Sequence, residues 1–284
     1  MKKQAGRKPL YAKHGKEIDA LAVINQTTKK LDILTDTATF KQAGIEISIT
    51  HYAEVKGNVG INIHKLLKFA TSKFDGKSPE VNFPLGEYMA ITGNEIPTER
   101  EQRRRKKNEM QKRIRKELYT LQSVQVRNVN ENGFESISPV CRTAAKNGNI
   151  TIEFSRPFAE YLQKKRTTKM HSQLLKISGR SPTAYAIGFK CTDHFYMNLK
   201  RQTQAANRLK VKNILKSTPL PDYEKVLADR RSWKDRIKQP FEKAMNELVS
   251  AGVLLSWQYE TPICGSSYHT FADTMIRFEV AELE

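Results

Sequence analysis

Cysteine is scarce: this 284-residue chain has three, Cys141, Cys191 and Cys264. No two sit at C-x-x-C spacing, which excludes a zinc ribbon and a dithiol redox motif. Three separated thiols suit a reducing cytosol, and each reads as a small buried apolar residue. Long apolar runs are also missing. No window approaches the ~18 consecutive apolar residues of a membrane helix. The basic start MKKQAGRKPLYAKHGK is followed by no apolar stretch of the signal-peptide kind. There is no G-x-x-x-x-G-K-S/T, so no P-loop nucleotide site is expected. The six histidines, at 14, 51, 64, 171, 194 and 269, are scattered without metal-ligand spacing. Carboxylates do not cluster as in a polymerase or nuclease centre; they are interleaved with Lys and Arg. The sequence therefore predicts no enzyme, no metal and no cofactor.

Acidic residues are outnumbered, 30 against 49 Lys and Arg, which leaves a net charge of +19 and a pI near 9.8. A surplus of this size suits a polyanionic partner. It is not confined to one tail: residues 1–155 hold 27 bases and 17 acids, and residues 156–284 hold 22 and 13. Both halves are expected to lie along a polyanion, or one to be a duplicate of the other.

What is present falls into two series. Residues 1–30 read as a flexible basic arm suited to a phosphate backbone. GIEISIT (44–50) alternates as a half-buried strand. INIHKLLKFATSKF (61–74) places Ile63, Leu66, Leu67, Ala70 and Phe74 on one helical face. VNFPLGEYMAITG (81–93) reads as a strand running into a short helix ended by Gly93. In TEREQRRRKKNEMQKRIRKEL (98–118), ten bases face four acids. Thr98 and Glu101 form a capping-box signature, and Met110, Ile114, Leu118 and Leu121 make an apolar seam. Glu101–Arg105 and Glu109–Arg113 are available i,i+4 pairs. SVQVRNV, a turn at NENG, and FESISPV read as a hairpin, with NITIEF (149–154) as a further strand.

The second series starts at Ser181-Pro182, a cap followed by proline in the first helical turn. A short helix in RLKVKNILKS (208–217) stops at Pro219 and Pro221, and Asp222 can cap another turn. WKDRIKQPFEKAMNELVSAG follows with its apolar residues at Trp233, Ile237, Phe241, Met245 and Leu248. Pro240 starts or kinks this helix, and Gly252 ends it. VLLSWQYE and TMIRFEV are strands joined by a polar loop. Helix, short helix, long basic helix and hairpin, twice over, is the order of a winged helix. The predicted class is α+β, helix-rich, with two tandem winged-helix domains at 31–155 and 156–284.

In such a domain the third helix enters the major groove and the wing meets flanking backbone. The density of charge in 98–118 suits gripping backbone through Arg103, Arg104, Arg105, Lys107, Lys112 and Arg115. A solvated face or a nuclear-localisation tract are the other readings of the same run. In 230–243, Arg230, Arg231, Lys234, Arg236, Lys238 and Lys243 suit phosphate and guanine edges. The loop with Ser266, Ser267, Tyr268 and His269 is a candidate backbone contact or simply a flexible hairpin tip.

The second series also resembles a known family. The likeness is carried by Arg180-x-Pro182-x-Ala184-Tyr185-Ala186-Ile187-Gly188, by the Asp-Tyr-Glu at 222–224, and by Arg236-Ile237 before Pro240-Phe241-Glu242. It is similar to the C-terminal half of replication initiators of plasmids and related mobile elements, over roughly residues 150–280. The first half matches mainly in element order. The resemblance implies binding to double-stranded DNA at direct repeats of an origin, local duplex opening, recruitment of host replication proteins, and homodimers beside monomers. The separated thiols and the lack of a long apolar run predict a cytoplasmic protein without a membrane partner. A winged-helix transcriptional repressor and a rolling-circle nicking initiator are the competing readings; the latter needs a His cluster and an acceptor Tyr.

Overall fold

The computed structural model describes residues 10–13, 32–34, 36–42, 45–56, 59–94, 97–128, 137–165, 167–199, 206–261 and 267–282. The chain forms two compact units, the first Tyr11–Thr167, the second Thr168 onward together with Leu10.

Among the described residues, two antiparallel sheets and five helices build the first unit. Strand β1 (Leu10–Lys13) is followed by β2 (Asp32–Leu34), β3 (Thr37–Gln42) and β4 (Ile45–Ile49). Ile45, Ile47 and Ile49 of β4 all point inward, at 3%, 0% and 1% exposure. Each such burial stabilises by about 1.5–3 kcal/mol. After the short α1 (Tyr52–Val55) comes α2 (Ile61–Ser72), then β5 (Glu80–Pro84), α3 (Leu85–Ile91) and the long α4 (Arg100–Gln122). Strands β6 (Val124–Asn128), β7 (Val140–Lys146) and β8 (Asn149–Phe154) and helix α5 (Arg156–Lys164) complete the unit. The sheets run β2-β3-β4-β6 and β5-β8-β7. Phe69 of α2 packs edge-on to Phe83 of β5 at 4.9 Å and against Tyr88 of α3 at 5.4 Å, so these three elements share one core.

Several expectations need correcting here. Within 1–30, Leu10–Lys13 is a strand rather than a flexible arm, and the rest of that range lies outside the described residues. Among the bonds that hold it, the Lys13 N–H donates to Thr71 Oγ1 (3.3 Å), Lys13 Nζ donates to the Lys165 carbonyl (3.2 Å), and Lys68 Nζ donates to the Lys13 carbonyl (2.9 Å). The expected boundary at 155/156 falls too early. Ser155 caps α5 by accepting from the Phe158 N–H, Phe158 meets Phe154 at 5.7 Å, and Gln163 donates to the Gly76 carbonyl. Helix α5 therefore belongs to the first core. The hairpin is also displaced. Strand β6 pairs with β4, and Val126 meets Ile137 only through an isolated bridge; NENG lies outside the described residues. The wing is β7–β8, turned at Asn147-Gly148 with φ of 52° and 76°. A two-residue turn with both φ positive is type I′, which Asn-Gly satisfies with little strain.

The second unit repeats the pattern. Strand β9 (Thr167–Met170) and a 3-10 turn (Ser172–Lys176) precede α6 (Pro182–Leu199). Then come β10 (Arg208–Lys210), α7 (Val211–Leu215), α8 (Tyr223–Ala228), a π-helical turn (Lys234–Lys238), α9 (Gln239–Ser250), β11 (Leu254–Tyr259), α10 (Tyr268–Asp273) and β12 (Met275–Val280). Its sheet runs β10-β12-β11, the same order as β5-β8-β7. Tyr185, Phe241, Phe271 and Leu248 are wholly buried. Gly188 lets α6 and α9 meet, because a Cβ there would stand 2.5 Å from one Leu248 methyl and 2.6 Å from one of Leu174. Each unit thus contains a run of helix, strand, one or two short helices, long helix and hairpin, with that strand paired to the last. That is the winged-helix topology, twice.

Candidate nucleic-acid interface

Helix α4 starts at Arg100, and its N-cap is Glu99 without a side-chain bond, so the expected capping box does not form. Arg103 braces the helix start instead, donating from Nε to the Pro97 carbonyl and from NH2 to the Thr98 carbonyl. Met110, Ile114, Leu118 and Leu121 face the core as expected. Among the described residues the acid–base pairs are Arg105–Glu109 (3.5 Å) and Arg113–Glu117 (2.7 Å), one turn later than the sequence pattern suggests. The reason is burial: Glu117 is 3% exposed and draws Arg113 to it. Arg104, Lys107 and Lys112 are exposed and make no ion pair among the described residues. Arg104, Gln111, Arg115 and Gln122 share one stripe by helical spacing. That stripe adjoins the wing: Arg115 donates to the Ala145 carbonyl and Gln122 to the Cys141 carbonyl, both at 3.4 Å. The wing tip adds Lys146 and Asn147, both exposed and overlooked in the sequence. The Asn-Gly dipeptide was the signal that could have found them.

Under α4 lies a buried ionic group. Lys65 of α2 is 3% exposed, and burial pushes its amine down to about 7; Arg113 nearby acts in the same direction, and Glu117 opposes it. Burial raises the Glu117 carboxyl, while the charge and hydrogen bond of Arg113, then Lys65, lower it. Charge on the outer surface of α4 is thus tied to charge beneath it.

In the second unit Arg230, Arg231, Lys234, Arg236 and Lys243 are exposed, and none makes an ion pair among the described residues. Lys238 is half-buried and lies 3.8 Å from Glu242. Arg230 sits at φ 52°, in the left-handed region, just past α8. Its N–H donates to the Leu227 carbonyl and that of Arg231 to the Val226 carbonyl, the bond pattern of a Schellman cap. Opposite the buried line of α9 lie Gln239, Lys243 and Asn246, all exposed and spaced by four and three. Gln239 and Asn246 are amides of the kind that reads a base edge; the Gln239 amide donates to Asp235 (3.1 Å) and the Asn246 Oδ1 accepts from Trp257 Nε1 (2.9 Å), and being uncharged they escape a sequence reading that follows charge.

Of the expected polar loop of this wing, Tyr268–Asp273 form helix α10 rather than a flexible tip, and residues 262–266 lie outside the described residues. Ser267 caps α10 by accepting from the Thr270 N–H. Tyr268 stacks on Tyr223 at 4.0 Å, and Lys212 donates to Asp273 at 2.6 Å. His269 is exposed and set edge-on to Tyr223 at 5.6 Å. Ser266 lies outside the described residues. The thiols divide: Cys191 is buried, its pKa pushed up to about 12, while Cys141 is exposed, against expectation. Cys141 lies on β7, whose side chains there face outward.

These features define a tandem winged-helix protein whose two long third helices present basic surface. The same fold occurs in a solved initiator protein. The Pi initiator protein in complex with iteron DNA superposes with a TM-score of 0.54 over 98% of this chain and 100% of its own, at 10% identity. Domains 2 and 3 of RctB align over 93% of this chain and 96% of theirs, with a TM-score of 0.41 and 8% identity. No family model and no curated protein matches the sequence. At 10% identity the likeness to the Pi initiator protein is one of fold.

Proposed function

We propose that this protein is a sequence-specific, double-stranded DNA-binding replication initiator. It binds direct repeats at a plasmid or mobile-element origin, promotes local opening of the duplex, and recruits host replication proteins. It acts by binding rather than by catalysis, and it works in the cytoplasm. The observation that carries this reading is the repeat: two winged-helix units, each with an exposed basic third helix, across nearly the whole length of a fold known from an initiator held on iteron DNA. A homodimer is part of the proposal on the strength of the family resemblance. No helix among the described residues is long and apolar enough to cross a membrane.

Footprinting on the DNA that flanks the gene tests the reading. Protection of several direct repeats beside an AT-rich tract is the expected result. A single protected palindrome would instead favour a repressor, and a nicked, covalently linked product with Mg²⁺ or Mn²⁺ would favour a rolling-circle enzyme. Binding should weaken with salt at a slope of about −0.9 per phosphate neutralised. A flat salt response would count against a backbone grip.

A further inference from the structure

The apolar residues leading into α9 are spaced by fours: Trp233, Ile237, Phe241, Met245. An α-helix turns about 100° per residue, so each step of four overshoots by about 40°. In an unbroken α-helix Trp233 would lie about 80° off the line of Phe241, and Lys234, seven residues back, would lie within about 20° of it. The observed arrangement is the reverse. Ile237 and Phe241 are buried at 1% and 0% exposure, and Trp233 rests on Phe271 (5.4 Å) and Tyr268 (5.8 Å). Lys234 is exposed. The cause is the π turn at Lys234–Lys238, closed by the Gln239 N–H donating to the Lys234 carbonyl five residues back. A π turn inserts one residue, which rotates everything before it by about one helical step. Pro240 forces it. Proline has no N–H for the Arg236 carbonyl, and its ring crowds that carbonyl in a regular α turn.

We infer that Pro240 and Trp233 are positioning residues for DNA recognition. Pro240 imposes the extra residue, and Trp233, seated on α10, locks the resulting rotation. Together they set the register in which Lys234 and Arg236 stand beside the outward line of Gln239, Lys243 and Asn246. Without the π turn, Lys234 would be driven toward the core and Trp233 turned off it. The same geometry explains why the wing contains α10, which supplies the Phe271 and Tyr268 seat. The inference rests on the DNA-binding reading above and adds the residues that make the second unit selective.

The test starts with wild-type protein selecting duplexes from a random-sequence pool. Gel-shift titrations then compare wild type, Pro240→Ala and Trp233→Ala on the selected duplex and on a scrambled duplex of the same composition. The ratio of affinities should fall about tenfold in each variant, since a misplaced base contact costs on that order. Affinity for scrambled DNA, set by net charge, should hold within about twofold. Trp233→Ala carries the test if far-UV circular dichroism finds Pro240→Ala unfolded. An unchanged ratio would overturn the inference, and so would equal weakening on both duplexes, the mark of a merely structural role. A wild-type protein that selects no sequence would overturn the DNA-recognition reading itself, and this inference with it.

Discussion

Lys65 and Arg230 show how single residues here carry costs that only function or packing explains. A lysine 3% exposed is rare, and its charge is disfavoured by burial. In the unfolded chain Lys65 keeps its proton up to its ordinary value of 10.5; in the folded protein it loses it at about 7. Between those values the unfolded state binds more protons, so stability should rise with pH across the window. Urea melts at the two ends of the window should show this rise, and Lys65→Met should remove it. An unchanged pH dependence in Lys65→Met would assign the rise to another group. Arg230 adopts the left-handed backbone that suits glycine, at a cost of about 1 kcal/mol. Arg230→Gly should therefore raise the thermal midpoint while weakening DNA binding, the first by calorimetry and the second by gel shift. A variant that binds as tightly as wild type would make Arg230 a cap and nothing more.

At the scale of elements, spacing alone located most helices and misjudged their ends and partners. The seam of α4 and the seam of α9 were legible because apolar residues recur every three or four positions over many turns. The capping box at Thr98 was not, because the helix starts at Arg100 with Glu99 as its N-cap, and the Arg103 guanidinium braces that start by donating to the Pro97 and Thr98 carbonyls. The first wing was misplaced by one strand. FESISPV alternates as well as VCRTAAK does, and alternation does not say which strand is the partner. Gly188 is an element-level contact: with no Cβ it brings α6 against Leu248 of α9. Gly188→Ala gains helix propensity of about 1 kcal/mol yet overpacks two buried leucines at a cost of about 1–3 kcal/mol. A net loss of stability is expected in denaturant titration. A gain would mean that Leu174 and Leu248 repack freely.

For the whole molecule, the two units differ in how they display charge. The first carries dense, mostly unpaired charge on α4 next to a wing closed by a two-residue turn. The second carries sparser charge on a helix whose outward line includes Gln239 and Asn246, beside a wing braced by α10. This asymmetry predicts a division of labour. Joint Arg104→Ala and Arg105→Ala substitution should weaken selected and scrambled duplexes alike and reduce the salt slope by about two. Arg236→Ala should lose about tenfold more on the selected duplex than on the scrambled one. Competition gel shifts at several salt concentrations measure both, and the reverse pattern would refute the division.

By itself the sequence determined the class: a strongly basic α+β chain with two series of the same elements, because helix and strand periods and net charge are local properties that survive without tertiary contacts. The tertiary structure decided what depends on which residues meet. It placed α5 in the first core, chose β7 and β8 as the wing, buried Lys65 and Lys68, and resolved the ambiguity at Pro240 into a π turn. Each of these turns on a partner far along the chain: Gly76 for Gln163, Lys13 for Lys68, Phe271 for Trp233. Local pattern sets which face of an element is apolar, but only packing decides what that face finds.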